Sequence, residues 1–75
     1  MKITSTNISG LKIVQSKIYR DNRGLLKEVF KQKLFKKDDF IFNIVSCSKK
    51  NVVRGFHIQT KFKQAKYVSV LKGAI

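Results

Sequence analysis

Apolar residues in this chain come in short runs, and clusters of Asn, Gly, Asp and Lys cut those runs apart. Runs of four to eight residues, rich in Val, Ile, Phe and Tyr and bounded by turn residues, are the signature of β-strands. Nothing here is long and periodic enough to make a helix of more than about two turns, since a stable helix needs a sustained apolar stripe every three or four residues. The expectation is an all-β chain of five short strands, a sandwich or barrel type.

Leu11 to Tyr19 mixes Leu, Ile, Val and Tyr with Lys, Gln and Ser after Gly10, the pattern of a half-buried strand. Asp21-Asn22-Arg23-Gly24 is a turn by its residues, because Asn and Gly tolerate φ > 0 and Asp bonds its own backbone. Leu25 to Phe30 resumes as a strand with Leu26, Glu28 and Phe30 on one face. Lys31 to Phe35 has no alternation and reads as a short helical turn leading to a Lys36-Lys37-Asp38-Asp39 loop. Phe40 to Val45 reads as a buried strand, and Lys49-Lys50-Asn51 as the next turn. Asn51 to Gln59 is a fourth strand and Gln64 to Leu71 a fifth, in which Lys66, Val68 and Val70 share one face. The chain stops where a further turn and strand would follow, so an unpaired sheet edge is expected.

Seventy-five residues bound the answer to one small domain, residues 1–75, without an internal repeat. Proline is absent, glycine is sparse and 43% of residues are apolar, which is a globular composition and not that of a linker. Fourteen of the seventeen basic residues are lysine, dispersed along the chain, and the net charge is +13. Dispersed lysines among apolar residues fit the solvated faces of strands, so a nucleic-acid partner is not expected despite the charge. The single cysteine, Cys47, cannot close an internal disulfide, and no apolar run approaches the length of a membrane span. A cytoplasmic protein without a membrane partner is the corresponding expectation.

Asn51 to Gln59 stands out because Arg54, Gly55 and His57 interrupt an apolar run. Burying charge is costly without a partner or a task, so this is where chemistry is sought first. His57, the only histidine, is the candidate acid or base, because imidazole exchanges protons near neutral pH. Arg54 offers a guanidinium fork for carboxylate or phosphate. The two are three residues apart, so a regular strand sends them to opposite faces unless Gly55 hosts a bulge. Lys66, on an otherwise apolar strand face, is a candidate to hold a developing negative charge, and Arg23 at the turn is a candidate second anion contact that the residues alone fit equally to a solvated surface. One histidine and one cysteine with four carboxylates supply no metal site, and no phosphate-binding glycine loop is present, so a metal-dependent or P-loop function is not expected.

Four separated pieces, Asp21-Asn22-Arg23-Gly24, Glu28-Val29-Phe30, Ser46 to Gln59, and Gln64-Ala65-Lys66-Tyr67-Val68, resemble in order and spacing the dTDP-4-dehydrorhamnose 3,5-epimerase family of cupins. The resemblance implies a β jelly roll acting as a homodimer, without cofactor, on a dTDP-linked 4-keto-6-deoxyhexose in deoxysugar and lipopolysaccharide carbohydrate biosynthesis. Protons beside the keto group are removed and returned through an enolate. On this chain the family's base falls on His57 and its enolate-holding lysine on Lys66. Arg54 and Arg23 fall on contacts to substrate or its phosphates, and Glu28 and Gln59 on the substrate-binding side.

Phe42 and Ile44 stand where the family carries Gln and Asn, which bears on which 4-keto sugar is taken. The family's tyrosine acid and the aspartate that orients its histidine have no counterpart in these 75 residues; neither Tyr19 nor Tyr67 matches. The expectation is therefore an N-terminal portion of the jelly roll, somewhat under half of it and incomplete, inactive by itself. A sugar 3,4-ketoisomerase on the same scaffold and a basic nucleic-acid-binding β module are the alternative readings. The Gln64-Ala65-Lys66 piece favours the epimerase over the ketoisomerase.

Overall fold

Asp21 starts a tight turn, and the reason is local chemistry. In the computed structural model, which describes all residues Met1–Ile75, its Oδ1 accepts the backbone N–H of Arg23 at 2.8 Å. That bond bends the backbone back on itself across the two-residue connection Asn22-Arg23. Its Oδ2 accepts the Arg23 guanidinium through Nη2 at 2.6 Å and Nε at 3.2 Å. Gly24 follows at φ +136°, a region that side chains avoid, so the turn is written with the residue it requires.

This turn joins two strands that are labelled β3 (Ile18–Asp21) and β4 (Gly24–Lys27). They pair antiparallel with Tyr19 opposite Leu26 and Arg20 opposite Leu25. Lys17 sets its ammonium 5.0 Å from the centre of the Tyr19 ring, a cation–π contact on the same hairpin. Upstream, β1 (Lys2–Ser5) and β2 (Lys12–Gln15) make a second antiparallel hairpin, with Ile3 opposite Val14 and Thr4 opposite Ile13. Its longer connection is tied by Thr6, whose hydroxyl donates to the Leu11 carbonyl at 2.9 Å and accepts the Ile8 N–H at 3.2 Å.

The chain is thus all-β, four antiparallel strands in two two-stranded sheets, with one 3-10 turn at Gln32–Leu34. It divides into two units, 1–31 and 32–75. All four strands belong to the first.

The second unit is organised around Gln32. Its side-chain amide donates to the carbonyls of Phe35 at 3.1 Å and Asp38 at 2.7 Å, while its Oε1 accepts the Phe40 N–H at 3.3 Å. One side chain therefore closes the Lys36–Asp39 loop and sets Phe40 beside Phe35. Their ring centroids lie 5.2 Å apart at an edge-to-face angle, and Tyr67 completes a triangle at 5.3 Å from Phe35 and 6.0 Å from Phe40. Such geometry sets the positive ring edge against the negative face of its neighbour. The cluster is half-buried.

Three expected strands are not formed. Phe40 to Val45, Asn51 to Gln59 and Gln64 to Leu71 carry strand composition, but none enters a ladder. A strand has no internal hydrogen bonds, so sequence that favours it forms it only where another segment pairs with it. The turn expected at Lys49-Lys50-Asn51 is present, with Val52 N–H donating to the Lys49 carbonyl at 3.3 Å and Asn51 at φ +67°. Of the two expected strands around the hairpin, Leu11 to Tyr19 splits at Ser16-Lys17 into β2 and β3, and the second ends at Lys27 rather than Phe30.

No residue is buried. The chain exposes 8208 Å². Local hydrogen bonds, not a core, hold what structure there is.

Two consequences are measurable. Replacing Gln32 with Ala removes three hydrogen bonds at once, of which the Phe40 N–H is directly observable. With about 1 kcal/mol for a net hydrogen bond, the Phe40 amide exchanges with solvent roughly fivefold faster in the variant; an unchanged rate contradicts the clamp. For Asp21, the Arg23 side-chain hydrogen bonds first, then the Arg23 backbone N–H, hold the carboxyl below its ordinary value of 3.8. A carboxyl depressed in the folded state stabilises the hairpin above its unfolded value, and that contribution is lost as pH falls through the lower folded one. In a carbon-detected pH titration Asp21 therefore loses its charge below 3.8, and Arg23→Ala moves its midpoint upward toward that value.

Candidate functional site

Arg23 and Glu28 come from the two ends of one hairpin arm, and the structure brings them to one place. A shallow groove on the first unit is lined by Tyr19, Arg20, Arg23, Leu26 and Glu28, among others. Two guanidinium groups at a groove with an aromatic and an aliphatic wall suit an anion attached to a flat, partly apolar group. Neither candidate is idle. Arg23 is paired with Asp21, which raises the Arg23 pKa, and Glu28 accepts from the Lys31 ammonium at 3.1 Å. The Arg23 side chain nonetheless stays 85% exposed, and surface pairs of this kind are weak enough to exchange for a ligand. Arg20 was not among the sequence candidates. Its signal was there, since it is one of three arginines and sits three residues before Arg23 across a two-residue turn.

In the second unit Arg54, His57, Gln59 and Lys66 are all exposed. Arg54 donates through Nη2 to the Cys47 carbonyl at 3.3 Å, closing the loop around the Lys49–Asn51 turn. Gly55 adopts φ +147°, which an L side chain disfavours, so the backbone between Arg54 and His57 is turned in a way only glycine takes readily. The β-bulge expected at Gly55 does not form, because this segment enters no ladder. Gln59 donates to the Phe62 carbonyl at 2.8 Å, and Lys66 donates to Gln64 Oε1 at 2.8 Å. The Gln64-Ala65-Lys66 piece therefore acts as a unit, its amide oxygen steering the ammonium. No ion pair engages His57, whose orientation is not set by a carboxylate; the two ion pairs are Arg23–Asp21 and Lys31–Glu28. Cys47 is a free, exposed thiol. No three of the His, Cys, Asp and Glu side chains gather where a metal ion would sit, and no helix is long and apolar enough to cross a membrane.

Comparison with known proteins places these residues in a frame. The model of the family described as dTDP-4-dehydrorhamnose 3,5-epimerase matches residues 5–75. A dTDP-4-dehydrorhamnose 3,5-epimerase of Methanothermobacter thermautotrophicus is 31% identical over 78 residues, covering 99% of this chain and 42% of the relative. One from Neisseria gonorrhoeae is 33% identical over 79 residues, covering 100% of this chain and 24% of the relative, and one from Shigella flexneri is 33% identical over 81 residues, covering 100% and 45%. The chain spans less than half the length of these relatives. No solved structure matches it. With the family's pattern running through both units, from the hairpin that carries Arg23 to the segment that carries Lys66, the chain belongs to the dTDP-4-dehydrorhamnose 3,5-epimerase family.

Proposed function

We propose that this chain supplies one wall of a pocket that epimerises a dTDP-linked 4-keto-6-deoxy sugar at the two carbons flanking the ketone. What carries the reading is the family match over residues 5–75, with Arg54-Gly55-Phe56-His57 and Gln64-Ala65-Lys66 intact within it. In this reading the neighbouring ketone acidifies the C–H bonds, His57 takes the proton, and the electron pair moves onto the ketone oxygen as an enolate. Lys66 holds that oxygen's negative charge, which develops only as the proton leaves, so its contribution falls on the transition state. The Gln64–Lys66 hydrogen bond, which limits where the ammonium can swing, supports this role. Returning a proton to the opposite face inverts the centre and regenerates the ketone; the donor for that face comes from outside these 75 residues.

The charges divide the binding work. Arg23 and Arg54 take the diphosphate, where a guanidinium fork matches paired oxygens, while Glu28 and Gln59 take hydroxyl and amide groups of sugar and base. Phe42 and Ile44 stand where the family carries the Gln and Asn that help bind nucleotide and sugar, which points to a 4-keto sugar nucleotide other than dTDP-4-dehydrorhamnose. The wider reading is a single cupin-type jelly-roll domain, a homodimer in the cytoplasm, serving the synthesis of deoxysugars for surface carbohydrate such as lipopolysaccharide.

A chimaera tests this. Residues 5–75 replace the matching segment of the Methanothermobacter relative, and solvent deuterium incorporation is followed on a dTDP-4-keto-6-deoxy sugar. The chimaera exchanges at both carbons, and His57→Ala slows exchange by roughly 10²- to 10⁴-fold, the usual weight of a general base. Lys66→Met lowers the rate by about 10²-fold with little change in KM, as for a charge felt mainly in the transition state. A folded chimaera that does not exchange, or one indifferent to His57→Ala, contradicts the assignment.

A further inference from the structure

Asp21 spreads three hydrogen bonds over one residue. Its Oδ1 accepts the Arg23 backbone N–H at 2.8 Å, and its Oδ2 accepts Nε at 3.2 Å and Nη2 at 2.6 Å from the same arginine. The first bond makes the turn, and a single acceptor oxygen is enough for that. The other two are not needed by the turn. They occupy the guanidinium edge that carries Nε and leave the end-on pair, Nη1 and the outer N–H of Nη2, without a partner. An end-on pair matches two phosphate oxygens as well as the occupied edge does. Arg23 can therefore take an anion without giving up Asp21.

The same anchor is missing from the other guanidinium at the groove. Arg20 and Glu28 are the further charged groups that line it. Glu28 is tied to Lys31 at 3.1 Å, and no ion pair engages Arg20. Anchoring matters because the Arg23 side chain is 85% exposed, so packing does not restrict it. A free arginine loses its rotamer freedom when it grips a ligand, and that loss weakens binding. A carboxylate fixed two residues away by the turn itself removes the freedom before the ligand arrives. The opposing effect is repulsion between Asp21 and the bound anion. That charge is balanced by the guanidinium lying between the two, and at an exposed site the remainder is screened by salt.

We propose that Asp21 is a positioning residue, which holds the Nε edge of Arg23 so that the opposite end of the guanidinium is presented ready-oriented to the diphosphate of the sugar nucleotide. The inference rests on the reading of Arg23 as a diphosphate contact given above. It adds that Asp21 stays on Arg23 when the nucleotide arrives.

The test pairs a substitution with a titration. Asn offers one acceptor oxygen in place of two, so Asp21→Asn keeps the turn bond and loses the grip on Nε and Nη2. dTDP is titrated into the isotope-labelled 75-residue chain and into this variant, and the Arg23 amide is followed by NMR. The expected result is a dissociation constant roughly two- to tenfold larger in the variant, the effect of leaving one long side chain to be ordered by the ligand, with the β3–β4 amides unchanged. In the wild-type chain saturated with dTDP, the Asp21 carboxyl still titrates below 3.8. That measurement needs no variant and decides the matter if Asp21→Asn disturbs the hairpin. Equal or tighter binding by a folded variant overturns the proposal, since it makes the carboxylate a bystander or a competitor. So does an Asp21 midpoint that rises to 3.8 on saturation, because the nucleotide has then displaced the carboxylate. The two readings fail separately. Arg23→Ala that binds dTDP as the wild type does, or a wild-type chain with no saturable shift at Arg23, contradicts the Arg23 assignment and this inference with it. Binding weakened by Arg23→Ala and untouched by Asp21→Asn contradicts the role of Asp21 alone.

Discussion

Every regular element of this molecule depends on whether a backbone segment finds a partner close by in sequence. A two-stranded hairpin meets its need with a short turn, because the loop-closure cost is small and the partner arrives within a few residues. Both hairpins here do so, one through the Asp21 side chain and Gly24, the other through the Thr6 hydroxyl. Segments beyond Lys27 have no such neighbour. They form no ladder and hold local devices instead, among them the Gln32 amide and the edge-to-face ring triangle. Hairpins of this size are marginal without a face to pack against, which is why all four strands remain exposed or at most half-buried.

The same constraint sorts what the sequence made legible. Turns were readable because their causes lie within four residues. Asp21-Asn22-Arg23-Gly24 and Lys49-Lys50-Asn51 both turn as their residues require, and the short helical turn after Lys31 appears at Gln32–Leu34. Strands read from composition alone, such as Phe40 to Val45 and Gln64 to Leu71, were legible as a tendency and not as an outcome, because pairing is a property of two segments. β1 went unseen for the opposite reason. Lys2-Ile3-Thr4-Ser5 has little apolar content, yet β2 lies across a short tied loop and pairs with it.

Site residues divide along the same line. Arg23 and Glu28, joined by Arg20, sit at a groove on a hairpin that folds from local information. Arg54, His57, Gln59 and Lys66 lie on the unpaired segment, where each is tethered locally or not at all, and His57 has no carboxylate to orient it. Positioning a base and an oxyanion holder within catalytic tolerance requires a rigid surround. Of the proposed anion contacts, Arg23 is therefore held on a hairpin that forms from local information, whereas Arg54 and the proposed His57 and Lys66 lie on a segment that enters no ladder.

That separation is directly measurable. dTDP is titrated into the isotope-labelled 75-residue chain while backbone amides are followed by NMR, with dTDP rather than the full sugar nucleotide so that only the nucleotide end is probed. Saturating shifts confined to the hairpin, at Arg20, Arg23 and Glu28, with those at Arg54, His57 and Lys66 unmoved, are the predicted result. Equal, saturating shifts at His57 and Lys66 would show a pocket already assembled in this chain and would contradict the account.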